Sequence, residues 1–255
     1  MLDKETAQDL AKKLKIDLFT VYREYLQLLF LKYFYTQRGS EKVFFKGGTA
    51  LRFLFGSFRF SEDLDFTSLL AKNRIKKLTE KTLEDLRIEA GDIYFKELKS
   101  IANSFSGKIY QKLPDFKFPL TIRVDFSFRE KPFLTDTSYI ETIFPVGPYP
   151  QVAHLKIKEL LAEKVRAILT RTRGRDIFDL YFLLSKNVAI DWKLVNKKMK
   201  YYKKKADLDK LIKKIEKFPQ KGIENDLTKF LPTTHRQLVK KLKELTLKKL
   251  LEIKK

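Results

Sequence analysis

The chain has no cysteine, which excludes disulfide bonds, thiolate catalysis and zinc sites with cysteine ligands. Its only histidines, His154 and His235, lie far apart in the sequence and argue against a histidine triad or a histidine metal site. Long apolar runs are also missing, because residues 26–35 are too few to span a membrane and Lys32 interrupts them. The amino-terminal residues are charged and contain no apolar signal segment. These absences predict a cytoplasmic protein without a membrane partner.

Acidic residues are scarce relative to basic ones. The sequence has 54 lysines and arginines against 32 aspartates and glutamates, which gives a formal net charge of +22 at pH 7. Such an excess attracts polyanions, and their binding releases counterions. We therefore expect a nucleic acid as a partner. The alternative is a solvated, lysine-rich surface of the kind found in some thermophile proteins.

The segment 46–66, KGGTALRFLFGSFRFSEDLDF, carries most of the functional information. A helix that opens at a glycine pair offers bare backbone N–H groups to a phosphate. In the extended stretch that follows, side chains alternate between faces, so Asp63 and Asp65 share a face with Ser61. Adjacent carboxylates repel each other unless a cation lies between them, and all-oxygen ligands favour Mg²⁺ or Mn²⁺ over zinc. The segment therefore predicts metal-assisted phosphoryl or nucleotidyl transfer.

The periodicity of apolar residues predicts helical regions on both sides of a mixed region. Residues 1–38 are predicted to be helical, and the chain from 151 onwards is predicted to be helical throughout. Between these regions, residues 43–45 are predicted to form a strand and residues 73–101 are predicted to be mainly helical. We accordingly place one domain at 1–150 and a helical carboxy-terminal lobe at 151–255.

A second strand is predicted at 121–128, TIRVDFSF. Its apolar and polar residues alternate, which is typical of a strand with one buried face. Asp125 lies on the polar face.

Lys164 falls on the apolar stripe of a predicted helix, between Leu161 and Ile168. A lysine that faces inward is costly unless it meets an anion, here either a nucleotide phosphate or an aspartate. The alternative is a side chain that reaches solvent at the rim of the helix.

The helix predicted after Gly174 is apolar almost all round, and its early acidic residues are Asp176 and Asp179. In one interpretation they complement the helix dipole and form a buried pair with Arg171 or Arg175. In the other they belong to a functional site, and both roles are compatible.

An aromatic and basic run occurs later in the chain and consists of Tyr201, Tyr202, Lys203, Lys204 and Lys205. Tyrosines stack on bases and lysines contact phosphates, so the run is a candidate RNA-binding surface. A solvated helix end is the alternative interpretation.

The motifs together resemble a known family over roughly residues 40–185. The segments KGGTALRFLFG and RFSEDLDF, the later VDF strand and the segment EKVRAILTRTRGRDIFDL are similar to the AbiEii/AbiGii-type nucleotidyltransferase toxins, also called MenT-like toxins. The resemblance implies an α+β fold. It consists of a polymerase-β-like nucleotidyltransferase core with a small mixed sheet, a helical amino-terminal segment and a helical carboxy-terminal lobe.

In this family a pair of small residues precedes the D-x-D motif, and the pair here is Gly47 and Gly48. Nucleotidyltransferases more often have serine at the position of Gly48. The resemblance implies that the missing hydroxyl comes from Thr49 or Ser61.

The resemblance also implies the roles of the remaining residues in a metal-dependent enzyme that uses an NTP. Asp63, Asp65 and Asp125 would hold one or two Mg²⁺ or Mn²⁺ ions, and Asp125 would take the proton of the attacking hydroxyl. The groups that would contact phosphates are the backbone N–H groups of Gly47, Gly48 and Thr49 and the side chains of Lys164, Arg59 and Arg175. The family's late aspartate corresponds to Asp176 or Asp179, and the RDxxDL pattern leaves both open.

The implied reaction releases pyrophosphate and leaves a nucleotidyl group on the acceptor. The family's known targets and the charge of +22 both indicate an RNA 3′ end, such as the tRNA acceptor stem. One alternative is a protein acceptor, either a cognate antitoxin or the chain itself. Another is a non-catalytic RNA-binding protein on a decayed scaffold, against which the intact aspartates and Lys164 argue. The identity of the NTP and the presence of a neutralising antitoxin stay open.

Overall fold

The computed structural model describes residues 2–99, 103–114 and 116–254. The chain forms two compact units, Met1–Leu155 and Lys156–Lys255. Among the helices of the described residues, none combines the length and the apolar composition needed to cross a membrane.

Within the described residues, the first unit contains four α-helices and a seven-stranded sheet. The helices are α1 (Lys4–Leu14), α2 (Leu18–Thr36), α3 (Gly47–Phe55) and α4 (Lys72–Ala90). The strands are β1 (Val43–Lys46), β2 (Asp63–Ser68), β3 (Ile93–Glu97), β4 (Ser104–Gln111), β5 (Leu120–Ser127), β6 (Thr135–Ser138) and β7 (Val152–Leu155). The predicted amino-terminal helices and the strands predicted at 43–45 and 121–128 are confirmed.

The sheet is mixed, with the strand order β3-β4-β5-β2-β1-β7-β6. β2 pairs antiparallel with β1 and parallel with β5, and β1 pairs parallel with β7. The two strands that carry the predicted carboxylates are therefore neighbours in the middle of the sheet. This confirms the prediction of a mixed sheet.

One face of the sheet forms the core of the first unit. Leu64 and Phe66 of β2 are fully buried, and the ring of Phe66 stacks on that of Phe126 in β5 with 4.7 Å between centroids. Phe34 of α2 covers both rings, and α4 packs on β3 and β4. Each such buried side chain contributes roughly 1.5–3 kcal/mol. Because side chains alternate along a strand, the aspartates of β2 and β5 lie on the opposite face, which is called the open face below.

The prediction of a mainly helical segment over 73–101 is wrong in its second part. α4 ends at Ala90, Gly91 adopts a φ of +77°, and β3 follows at Ile93–Glu97. Glycine adopts such a positive φ readily because it has no Cβ to clash, so the helix can end here. Residues 100 and 101 of the predicted helix lie outside the described residues.

The prediction of helix throughout from 151 onwards is wrong at Val152–Leu155. These four buried residues form β7, which pairs with β1 and β6. The ring of His154 in this strand lies within hydrogen-bonding distance of the Ser138 hydroxyl, at 3.0 Å from Nε2, so this histidine is a structural residue.

The second unit is helical in the residues described. Its helices are α5 (Ile157–Thr170), α6 (Gly174–Ser185), α7 (Trp192–Met199), α8 (Leu208–Glu216), α9 (Gln220–Leu227) and α10 (Leu238–Lys254). α6 packs against α5, α9 and α10. A Cβ on Gly174 would lie 2.6 Å from the Cα of Ile223, so this glycine permits the close approach of α6 and α9.

Candidate active site

The glycine turn connects β1 directly to α3. Gly47 has a φ of +78°, and a Cβ at this position would overlap Oδ2 of Asp65 and lie 3.0 Å from its Cβ. α3 begins at this glycine without a side-chain cap. The first N–H groups of a helix have no partner within it, so those of residues 47–49 are available to an anion. The turn therefore brings backbone donors against the carboxylate of the D-x-D motif.

The second glycine provides space for a buried arginine. A Cβ on Gly48 would overlap Nη2 of Arg59 and lie 3.2 Å from the Ser61 hydroxyl oxygen. Arg59 is 2% exposed and donates a hydrogen bond of 2.8 Å to the carbonyl of Phe60. The guanidinium occupies the space that a serine side chain at position 48 would need. This contact explains why the chain departs from the usual glycine–serine pair.

Thr49 ties the turn to the neighbouring strand. Its buried hydroxyl donates a hydrogen bond to the backbone carbonyl of Asp63. Of the two candidates for the missing hydroxyl, Thr49 is therefore engaged with the backbone, while Ser61 lies beside the turn.

The sheet register brings the carboxylates together. Asp65 is the Cα partner of Lys46 on β1 and of Asp125 on β5, and Asp63 is the partner of Arg123. All three aspartates are half-buried. The sequence predicted the shared polar face, and the pairing of β2 with β5 supplies the proximity.

Asp125 has two partners that the sequence analysis did not identify. Arg123 binds it through Nε, 2.7 Å from Oδ2, and through Nη2, 3.0 Å from Oδ1, and Ser106 on β4 donates its hydroxyl proton. The hydrogen bond to Asp125 is the main cause that raises the pKa of Arg123, and the charges of Asp63 and Asp65 add to it. Arg123 is thus a counter-ion of the whole carboxylate group.

Different signals could have revealed these partners. The spacing of Arg123 and Asp125 on one strand face is visible in the sequence. Ser106 and Lys46 carry no such signal, because they reach the aspartates only through strand pairing.

Among the described residues, no group of three or more histidine, cysteine, aspartate or glutamate side chains is spaced to hold a metal ion. Asp125 is engaged with Arg123 and Ser106. Mg²⁺ typically needs only one or two carboxylates when substrate phosphates supply the other ligands. Asp63 and Asp65 offer two hard oxygen donors beside the glycine turn, so the residues present fit a Mg²⁺ ion that binds together with a nucleotide.

In the second unit, Lys164 is buried between two aspartates. Its Nζ lies 3.1 Å from Oδ1 of Asp176 and 2.7 Å from Oδ2 of Asp179. Arg171 binds Asp176 from the other side, with Nε 2.8 Å from Oδ2. Burial raises the pKa of Asp176, but the charges of Lys164 and Arg171 outweigh it and lower the pKa to about 2. The inward lysine therefore meets aspartates, and Arg171 pairs with Asp176.

Arg175 stacks on an aromatic ring. Its Cζ lies 4.9 Å from the centroid of Phe230, a distance typical of a cation–π contact.

A second buried lysine was not predicted. Lys198 is 2% exposed, and its Nζ lies 2.8 Å from Oε1 of Glu159 and 3.2 Å from Oε1 of Glu163. Burial lowers the pKa of Lys198, but the two glutamates outweigh burial and raise the pKa. This cluster resembles that of Lys164 in its chemistry, and Glu163 is its only member that belongs to a predicted motif.

The aromatic and basic run at 201–205 lies on the surface. Tyr201 is 54% and Tyr202 38% exposed, and their rings meet edge to face with 5.4 Å between centroids. The three lysines that follow are exposed. The run is therefore accessible to a partner.

Comparisons with known proteins show the family and the fold. A family model described as the nucleotidyl transferase AbiEii toxin of a type IV toxin–antitoxin system matches residues 29–248. The structure of JHP933 from Helicobacter pylori shares 20% identity over 94% of this chain and 96% of that chain, with a TM-score of 0.56. The nucleotidyltransferase toxin MenT4 from Mycobacterium tuberculosis shares 18% identity over 94% of this chain and 89% of that chain, with a TM-score of 0.60. A nucleotidyltransferase structure from H. pylori, titled as putative, shares 21% identity over 92% and 97% of the two chains, with a TM-score of 0.54. At these identities the structures show the fold, and they confirm the predicted fold class. No curated protein matches.

Proposed function

The chain belongs to the AbiEii family of nucleotidyltransferase toxins of type IV toxin–antitoxin systems, and we propose that it transfers a nucleoside monophosphate from an NTP to an RNA 3′ end, such as a tRNA acceptor stem. One observation carries the proposal. The phosphate-binding turn at Gly47 lies directly against Asp65, and the strand pairing sets Asp125 beside that residue. Donors for phosphate and carboxylates for a metal thus meet within one unit.

The nucleotide binds through its phosphates to the N–H groups of residues 47–49, which the α3 dipole reinforces. Asp63 and Asp65 would hold a Mg²⁺ ion, which would supply positive charge to the phosphates. Arg59 is fixed behind the turn by its bond to the Phe60 carbonyl and adds positive charge there. These groups orient the α-phosphate for attack.

The acceptor hydroxyl oxygen attacks the α-phosphorus while the bond to the β-phosphate breaks and pyrophosphate leaves. Asp125 takes the proton of that hydroxyl. Its carboxylate becomes available when Arg123 exchanges it for a phosphate, since a guanidinium binds phosphate and carboxylate in the same two-point geometry.

The resemblance assigns the buried lysine of the second unit to the substrate phosphates. We propose that Lys164, with Asp176 and Asp179, sets the positions of α5 and α6, since its charge is already shared by two aspartates. The exposed run at 201–205 is a proposed contact for RNA, and a cognate antitoxin is a proposed partner because the family belongs to toxin–antitoxin systems.

The test incubates the protein with each α-labelled NTP, total tRNA and Mg²⁺, and locates the label after gel separation. We expect labelled RNA with the native chain and background levels with Asp63→Asn and with Asp65→Asn. Asp92→Asn removes an exposed carboxylate of the same unit and serves as the matched control. The thermal unfolding midpoint of each variant shows whether a loss of transfer comes from unfolding.

Two outcomes contradict the proposal. Full transfer by Asp63→Asn at saturating Mg²⁺ overturns the metal role. Label that appears only on protein, in the antitoxin or in the chain itself, overturns RNA as the acceptor.

A further inference from the structure

A row of cations crosses the open face of the sheet beside the carboxylates. Arg123 on β5 is the Cα partner of Asp63 on one side and of Lys108 on the other, and Lys108 is the partner of Lys96 on β3. We call Arg123, Lys108 and Lys96 the basic row. With neighbouring strands 4.7–4.9 Å apart, the row extends about 14 Å from Asp63 to the sheet edge.

The row has a charge arrangement that an isolated sheet disfavours. Like charges directly opposite each other on paired strands are destabilising. Within residues 2–99, 103–114 and 116–254, no ion pair joins Lys96 or Lys108 to a carboxylate. The helices that cover the core, α2 and α4, pack on the other face of the sheet. An anion bound along the row would relieve the repulsion.

A stacked aromatic pair lies two residues further along the same strands. The rings of Tyr94 on β3 and Tyr110 on β4 are nearly parallel, with 5° between planes and 4.6 Å between centroids. Tyr94 is 53% exposed, so the pair presents aromatic surface to solvent. Thr121 continues this line on β5, next to Tyr110.

We propose that the basic row and this tyrosine pair bind the single-stranded 3′ segment of the RNA acceptor, with phosphates along the row and bases on the rings. This proposal rests on the proposed function, because it takes the acceptor to be RNA. The row leads away from Asp63, so it suits the nucleotides that precede the reacting 3′ end. Stacking on exposed rings requires unpaired bases, which selects a single strand over a duplex.

Edge protection explains only part of the arrangement. Lysines on edge strands prevent sheets from pairing with one another, and Lys96 on β3 fits that role. Lys108 does not, because β4 has a paired strand on each side. An acidic protein segment would use the cations, but it would gain little from stacked tyrosines.

The test measures the binding of a short fluorescent single-stranded RNA by anisotropy at several salt concentrations, with the full chain carrying Asp63→Asn so that no transfer occurs. Two double variants are added to it: Lys96→Ala with Lys108→Ala, and Tyr94→Ala with Tyr110→Ala. The matched controls are Lys77→Ala with Lys81→Ala, two exposed lysines on α4, and Tyr139→Ala, an exposed tyrosine of the same unit.

We expect the lysine pair variant to raise the Kd and to reduce the salt slope by about 1.4, at about 0.7 for each phosphate that the variant no longer neutralises. The tyrosine pair variant should raise the Kd at least about fivefold with little change of the salt slope. The controls should keep the native values. In the transfer-competent background, both double variants should raise the KM for RNA and leave the KM for NTP unchanged.

The inference is wrong if the native chain labels RNA while both double variants keep its Kd and its KM for RNA. It is also wrong if a polyglutamate peptide displaces the RNA while the tyrosine variant binds as the native chain does, since the face would then recognise acidic protein. If the double variants lose RNA binding but the native chain labels no RNA with any NTP, the proposed function fails while the binding surface stands.

Discussion

Replacing Asp176 by asparagine tests the buried charge cluster of the second unit. Asp176 is 2% exposed, and its carboxylate binds Lys164 and Arg171. Burial raises the pKa of this carboxyl, but the two cations outweigh burial and lower the pKa from 3.8 to about 2. A group with a depressed pKa stabilises the folded state when it is ionised. Asparagine keeps the size of the side chain and removes the charge.

The magnitude follows from the difference in pKa. A shift of nearly two units at 1.36 kcal/mol per unit corresponds to about 2.5 kcal/mol. Because the pKa is lower in the folded state, this contribution is fully present above about pH 5 and is lost as the pH falls through the folded-state pKa of about 2. We expect Asp176→Asn to lower the free energy of unfolding by about 2–3 kcal/mol at pH 7. The difference from the native chain should shrink below about pH 5 and disappear only below about pH 2.

Urea unfolding at a series of pH values measures this difference. The single tryptophan, Trp192, lies in α7, so its fluorescence reports on the second unit. Asp209→Asn is the matched control, because Asp209 is an exposed aspartate of the same unit that pairs with Lys254. An Asp176→Asn variant that stays as stable as the native chain at pH 7, or whose deficit is the same at pH 7 and pH 2.5, would refute the reasoning.

Three further changes have defined outcomes. Gly47→Ala should abolish nucleotide transfer and lower the unfolding free energy by about 1–2 kcal/mol or more, since alanine is strained at a φ of +78° and its Cβ meets the Asp65 carboxylate; an active, stable variant would contradict this. Lys164→Met and Lys198→Met should each cost about 3–5 kcal/mol in urea unfolding, because each leaves buried carboxylates without their cation. Both variants are then assayed for nucleotide transfer at temperatures below their unfolding transitions. A loss of transfer in the Lys164 variant alone would assign that lysine to catalysis, whereas equal transfer by the two variants would make Lys164 structural. Replacing the lysines at 203–205 by alanine should flatten the salt dependence of RNA binding by about 0.7 for each phosphate that these lysines neutralise, and an unchanged slope would remove the run from the interface.

The face that carries the carboxylates could be predicted from the sequence because strand alternation is a local property. The D-x-D spacing placed Asp63 and Asp65 together, and the alternation at 121–128 placed Asp125 opposite the apolar residues. The glycine turn and the strand before it were also readable, since both depend on neighbouring residues.

The pairing of the strands could not be predicted from the sequence, because it depends on residues that are far apart along the chain. Nothing in a single chain shows that Ser106 reaches Asp125 or that Lys46 stands next to Asp65. The short strand β3 was not predicted, because it follows the long amphipathic helix α4 after only two residues. The inward position of Lys164 could be predicted from the apolar stripe of its helix. Whether its anionic partner is a phosphate or an aspartate depends on how α5 and α6 pack, which the sequence does not show.

The parallel pairing of β2 with β5 has a consequence for the synthesis of the toxin. The strand with the D-x-D motif ends at Ser68, its partner begins only at Leu120, and β1 gains its parallel neighbour only at Val152–Leu155. Strand pairs that are distant along the chain form slowly, because closing the intervening loop costs entropy before the strands can pair. During synthesis both motif aspartates therefore leave the ribosome early. Asp125 cannot lie beside them until the residues of β5, from Leu120 onwards, have also emerged. The nascent nucleotidyltransferase stays without its third carboxylate through nearly the first half of its own translation.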